Sequence, residues 1–203
     1  MVFSFRTISK TAQGLYKEKG SKFLSFAYPV SDEPSVKNIL LDLKKKYFDA
    51  QHHCYAYVLD PEAKRYKAFD DGEPNHSAGD PILGQLKSKE LTNVLVVVVR
   101  YFGGKKLGVG GLVQAYKTAA EEALRQAPVV EVEITKEVII QFGYEQTTEV
   151  MGIIKKFSLQ IAHQAFEEPC RIYAHLKIRQ EEAFCHHMAQ IQHKGIRLVS
   201  SNL

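Results

Sequence analysis

The 203-residue chain carries 27 Lys and Arg against 23 Asp and Glu, for a net charge of +4, with 45% hydrophobic and 25% charged residues. That length suffices for one large or two modest domains with real cores. The composition excludes collagen-like, disordered and disulfide-dense classes, and no apolar run exceeds Val94–Val99, which is too short to span a bilayer.

The N-terminus, MVFSFRTISKT, has no apolar core behind a basic start, so no secretory leader is expected. Cys54, Cys170 and Cys185 are odd in number and form no C-x-x-C pair, which points to reduced thiols and a cytoplasmic location. The slight basic excess permits a polyanionic partner without diagnosing one. Any such surface must come from local clusters: Lys10, Lys17, Lys19 and Lys22; Lys44 to Lys46; or Arg100, Lys105 and Lys106.

In chain order, the alternation in SKFLSFAYPV predicts a strand over Ser21–Val30 that ends at Pro29 by a sheet margin. Ser31 or Asp32 can cap a helix whose Val36, Ile39, Leu40 and Leu43 follow helical spacing. HHCYAYVLD and RYKAF read as a hairpin across a Pro-Glu-Ala-Lys turn, and DDGEPNHSAGD, residues 70–80, has the chemistry of a structured loop. A short helix over Pro81–Glu90 is expected, with Asp80 as its N-cap and proline at its first position. A buried strand over Val94–Phe102, a glycine loop, and a helix from about Val109 to Gln126, stopped by Pro128, complete this half. The boundary is expected near Val130 to Lys136, dividing the chain into domains 1–132 and 136–203. Beyond it, KEVIIQFGY, Glu145–Phe157, LQIAHQAFE, CRIYAHLKIRQ, Glu181–Lys194 and GIRLVS read as β-α-β-β-α-β, the order of a ferredoxin-like fold, within an overall α+β class.

Two stretches carry possible chemistry. In NVLVVVVRYFGGKKLGVGGLVQAY, glycine takes five of nine positions: Gly103, Gly104, Gly108, Gly110 and Gly111. Glycine lowers stability in regular structure, so such density needs positive φ, close backbone packing or a ligand's approach. A strand running through glycines into a helix N-terminus aims amides and a dipole at one place, and Arg100, Lys105 and Lys106 add positive charge there. The phosphate motifs themselves do not match: Val109 stands where a Walker lysine belongs, and Val113 where a Rossmann glycine or alanine belongs. No nucleotide cofactor is therefore expected. Tyr101 or Phe102 offers a stacking surface where exposed, with the core the more expected place for Phe102.

The second stretch supplies Asp70, Asp71, Glu73 and His76. These residues suit metal ligation or general acid-base work, but also turn closure or pairing with Arg100 or a loop lysine. His52, His53 and Cys54 alternate across a strand, and Cys185, His186 and His187 fan around a helix. Neither set has zinc spacing, so no metal is expected. Cys54 reads as a buried thiol more readily than as a nucleophile served by His52, His53 or His76.

GSKF, HHCYAY, DDGEP followed by SAGDPIL, and above all the glycine block, closely resemble the YigZ/IMPACT family over nearly all of residues 15–127. That resemblance implies an N-terminal fold similar to the second domain of ribosomal protein S5 and a C-terminal domain similar to the last domain of elongation factor G. It further implies a link to translational control and binding of RNA or ribosomes, with protein partners of the translation machinery. Asn75-His76 departs from the small residues usual at that place, making the acidic loop bulkier. The expected function is therefore that of a non-enzymatic, regulatory RNA- or ribosome-associated protein. Its rivals are a hydrolase or metal-dependent enzyme centred on Asp70, Asp71, Glu73 and His76, and a protein-interaction module.

Overall fold

A computed structural model describes residues 2–199. Their contacts fall into two compact units, one over Val2–Val132 and the other beginning at Glu133.

The first unit contains β1 (Ser4–Ile8), β2 (Ala12–Glu18), β3 (Ser21–Pro29), α1 (Glu33–Lys46), β4 (His52–Leu59), β5 (Arg65–Phe69), α2 (Gly79–Ser88), β6 (Val94–Tyr101), α3 (Gly108–Gln126) and β7 (Val129–Glu133). Five strands form one sheet in the order β2-β3-β6-β4-β5, each neighbour antiparallel to the next; β1 and β7 form a separate pair. The central strand explains its own sequence. Val94, Val96 and Val98 pack with Ile82 and Leu86 of α2 and with Ala115, Tyr116 and Ala119 of α3. Leu95, Val97 and Val99 pack with Val36 and Leu43 of α1. A strand covered on both faces has no polar side to alternate, so it reads as an unbroken apolar run. Burying each of these side chains contributes roughly 1.5–3 kcal/mol.

Local capping follows the chain in one helix and departs from it in the next. The Asp32 carboxylate accepts the Ser35 amide at 2.7 Å and caps α1 as expected. At α2 the helix begins at Gly79, earlier than Pro81, and Asp80 lies inside its first turn rather than capping it. The cap comes instead from Asp70, whose Oδ1 accepts the amides of Ala78 at 3.0 Å and Gly79 at 2.8 Å. A separation of eight and nine residues along the loop hides that partner from a local reading.

Three strands escape the sequence pattern: β1, β2 and β7. In β2, AQGLYKE carries few apolar residues, and its Gly14 is needed for packing: a Cβ there would lie 2.6 Å from the Ala123 nitrogen of α3. The stretch Val130 to Lys136, expected to hold the domain boundary, is almost wholly strand, with Ile134 alone between β7 and the next strand.

The second unit comprises β8 (Thr135–Phe142), α4 (Thr147–Lys156), β9 (Gln160–Ala165), β10 (Cys170–Lys177), α5 (Glu181–Ile191) and β11 (Arg197–Val199). Ser200, the last residue of the expected GIRLVS strand, lies outside the described residues. The sheet order is β11-β8-β10-β9, with antiparallel neighbours. Alternate residues Val138, Ile140 and Phe142 of β8 and Ile172 and Leu176 of β10 meet Ile153, Phe157, Phe184 and Met188 in one core. Among the described residues no helix is long and apolar enough to cross a membrane.

Candidate anion-binding site

The acidic loop follows β5 and folds over the ends of β4 and β6, where nearly every group of interest already has an internal partner. Besides capping α2, Asp70 accepts the His76 amide at 2.9 Å through Oδ2. Asp71 Oδ2 accepts the His53 amide at 2.7 Å, its Oδ1 lies 3.6 Å from Lys44 Nζ, and its carbonyl is 2.8 Å from His52 Nδ1. Glu73 is buried; its Oε1 accepts from Arg100 Nη1 at 2.6 Å and from the Tyr116 hydroxyl at 2.7 Å. The Cys54 thiol lies 2.9 Å from the Asp70 carbonyl and 3.3 Å from the Tyr116 hydroxyl.

Burial pushes the Cys54 thiol up, and burial together with the neighbouring Cys54 and Glu73 pushes the Tyr116 hydroxyl up. Both therefore stay protonated at neutral pH. A thiol held in that state is a poor nucleophile. His76 is 82% exposed in its side chain, and its Nδ1 lies 2.6 Å from Asp80 Oδ2. Among the described residues no group of three or more His, Cys, Asp or Glu could hold a metal ion.

Arg100 departs from the phosphate-contact expectation and meets the alternative one, pairing with the acidic loop. It is 5% exposed, with its guanidinium on Glu73 and 5.4 Å and 5.7 Å from the ring centres of Phe23 and Phe102. The even-numbered register of β6 directs it under the acidic loop, on the same side as Val96 and Val98, and away from any external phosphate. Phe102 is corrected in the other direction: expected in the core, it is 46% exposed. Tyr101 is half-buried, and its hydroxyl donates to Asp49 at 2.8 Å.

The glycine loop is the reverse of the acidic one. Its first two amides are taken, Phe102 by Gln51 Oε1 at 3.0 Å and Gly103 by Ser21 Oγ at 3.1 Å. No acceptor among the described residues takes the amides of Gly104, Lys105 or Lys106. Both lysines are exposed and, among the described residues, have no ion-pair partner. α3 starts at Gly108 with no side-chain cap and no acid in its first turn, so its positive end is uncompensated by the protein.

The glycines serve different purposes. Gly104 and Gly108 have φ of +83° and +72°, a region that penalises other residues. Gly103 abuts the β2–β3 turn so closely that a Cβ would lie 1.9 Å from the Gly20 carbonyl carbon. At Gly110 a Cβ would meet nothing within 4 Å, so no internal contact there requires glycine. The Gly103–Gly20 approach also brings the Lys17, Lys19 and Lys22 cluster to the loop, a juxtaposition that sequence spacing does not reveal. Tyr116 escaped the sequence reading as well, because a tyrosine among alanines on an amphipathic helix looks like plain core.

With this geometry in view, comparison with known proteins identifies the lineage. Residues 19–124 match the Impact N-terminal domain. The chain is 29% identical to the IMPACT family member YvyE of Bacillus subtilis over 94% of its length and 88% of that protein. It is 32% identical to the IMPACT family member YigZ of Escherichia coli over 73% and 74% of the two chains. A crystal structure of a hypothetical protein superposes over 100% of this chain and 99% of its own, with TM-score 0.73 and 26% identity. The chain belongs to the IMPACT family.

Proposed function

We propose that the protein is a non-enzymatic regulator of the translation apparatus that binds RNA or the ribosome in the cytoplasm through its glycine loop. One observation carries this reading: Gly104 to Lys106 leave their amides without acceptors beside Lys105, Lys106 and the uncapped, acid-free start of α3. Backbone donors and a positive helix end next to lysines suit phosphate oxygens, which position a nucleic acid without reading its sequence. The internal bonds of Asp70, Asp71 and Glu73 weigh against the hydrolase alternative, since each carboxylate is committed to the fold.

On this reading the first unit acts as a domain of the S5 domain 2 type and the second as a ferredoxin-like module comparable to the last domain of elongation factor G. The β-α-β-β-α-β order of the second unit supports that assignment. Protein partners of the translation machinery would dock elsewhere on the pair of domains.

The test is a filter-binding titration of a single-stranded RNA across salt concentrations. Affinity should fall as salt rises, with a log-log slope of roughly −0.7 for each phosphate neutralised. Lys105→Ala with Lys106→Ala should flatten that slope by one to two. No affinity at low salt, or affinity indifferent to salt, overturns the proposal.

A further inference from the structure

The glycine loop borders a cavity of about 500 Å³ lined by Leu15, Lys17, Lys22, Leu24, Tyr101 and Phe102, with Gly20 at its rim. That volume falls within the roughly 300–1,000 Å³ typical of ligand sites. We propose that this cavity takes unstacked bases of a single-stranded RNA whose phosphates cross Lys17, Lys19, Lys22, Lys105 and Lys106. The inference rests on the RNA-binding reading above and deepens it by naming the form of RNA and the surface that holds it.

The register of the sheet builds the site. Leu15 stands opposite Leu24, Lys17 opposite Lys22, and Lys22 opposite Tyr101. Paired residues share a face, so all five project from one side, the side on which Leu24 and Tyr101 join the α1 core. At this margin the face is open: Leu15 is 50% exposed, and Phe102 closes the far wall. Lys17 and Lys22 are like charges directly opposite on neighbouring strands, an arrangement that weakens a sheet. Among the described residues neither has an ion-pair partner. Lys17 and Lys22 line the patch, Lys19 lies in the turn that touches Gly103, and Lys105 and Lys106 follow that glycine in the chain, so five lysines belong to the segments that border one patch of apolar and aromatic surface. A polyanion would relieve their mutual repulsion.

The aromatic wall is held in advance. Arg100 sits between Phe23 and Phe102, 5.4 Å and 5.7 Å from the two ring centres, and Glu73 pins its guanidinium. A cation beneath an exposed ring fixes it with little entropy left to lose, which suits a stacking platform. Base faces are available only where nucleotides are unpaired, so such a platform selects single strands over duplex and tolerates any sequence. A bare acidic peptide would use the lysines but leave the rings and Leu15 unsatisfied.

The experiment uses the full chain with a ten-nucleotide single-stranded RNA containing 2-aminopurine, the same RNA as a duplex, and polyglutamate. The wild type should bind the single strand more tightly than the duplex and quench the 2-aminopurine emission. Phe102→Ala should weaken single-strand binding roughly tenfold, the size expected for one lost stacking contact, abolish the quench and leave the salt slope unchanged. Lys17→Gln with Lys22→Gln should lower the slope while keeping the quench. Phe102 is 46% exposed, so its variant should stay folded with a midpoint near that of the wild type, while Lys17→Gln with Lys22→Gln, which removes two like charges facing each other, should keep the midpoint or raise it.

If Phe102→Ala binds and quenches like the wild type, or the duplex binds equally well, the cavity assignment fails while the RNA reading stands. Polyglutamate binding as tightly as the single strand also overturns the cavity assignment. If no RNA binds at any salt, the functional reading itself fails.

Discussion

The acidic loop and the glycine loop both cluster charge and turn-forming residues near the ends of the same sheet, yet they treat their polar groups in opposite ways. In the acidic loop, Asp70 holds three backbone amides, Asp71 holds the His53 amide, and Glu73 neutralises buried Arg100. In the glycine loop, three consecutive amides and two lysines have no partner among the described residues. The lesson concerns where polar groups find their partners. A carboxylate drawn into a low-dielectric interior must be paired, and once paired it serves the fold. Donors left facing solvent remain available to a ligand.

The sharpest way to break this contrast is to remove Glu73. Glu73→Ala strands the Arg100 charge in the interior and should destabilise the first unit by about 3–5 kcal/mol, measured by denaturant unfolding. Replacing both partners, as Glu73→Met with Arg100→Met, should recover most of that loss. A single variant as stable as the wild type would show that the acidic loop is not held from within.

Within the glycine loop the contrast can be drawn between two residues. Gly103→Ala forces a methyl against the Gly20 backbone and should cost about 1–3 kcal/mol, the usual penalty of overpacking. Gly110→Ala meets open space inside a helix and should raise stability by about 0.5–1 kcal/mol. On the proposed function, that same methyl should weaken RNA binding. A Gly110→Ala protein that is more stable and binds RNA unchanged would limit phosphate contact to the residues before α3.

The smallest effect is electrostatic. Burial lowers the His53 imidazole below its ordinary value, opposed by Asp71 and reinforced by Lys44 and His52. In the fold His53 stays neutral to lower pH than in the unfolded chain, where it protonates near its reference value of about 6.5. Its contribution to stability is therefore complete above that pH and is lost as pH falls towards the depressed folded value. His53→Leu should flatten the decline in unfolding free energy between about pH 6.5 and 5; an unaltered decline would assign it to other groups.

Much of this was legible beforehand. The buried β6, the β4–β5 hairpin, the Asp32 cap and the β-α-β-β-α-β tail follow from periodicity and capping chemistry, which are local. β2 was missed because an edge strand that packs through Gly14 has little pattern to read, and β1 and β7 because these five-residue strands pair with each other from opposite ends of the first unit, a partnership no local pattern reveals. For the candidate site, the loop, its glycines and its lysines could be named from the sequence, which left Arg100 open as a phosphate contact or a partner of Glu73 and Phe102 as core or exposed ring; packing chose the second in each case. Their neighbouring positions in the chain say nothing about which residue turns under the acidic loop and which faces solvent.

Chain order by itself determined the class of the protein, the apolar centre of its main sheet and the segment where backbone donors gather before a helix. Tertiary structure alone decided which charges remain available, because that depends on groups 27 residues or more apart in sequence, such as Glu73 with Arg100 and Gly20 with Gly103. Local chemistry places a charge on the chain; only three-dimensional packing determines whether it meets a counter-charge or water.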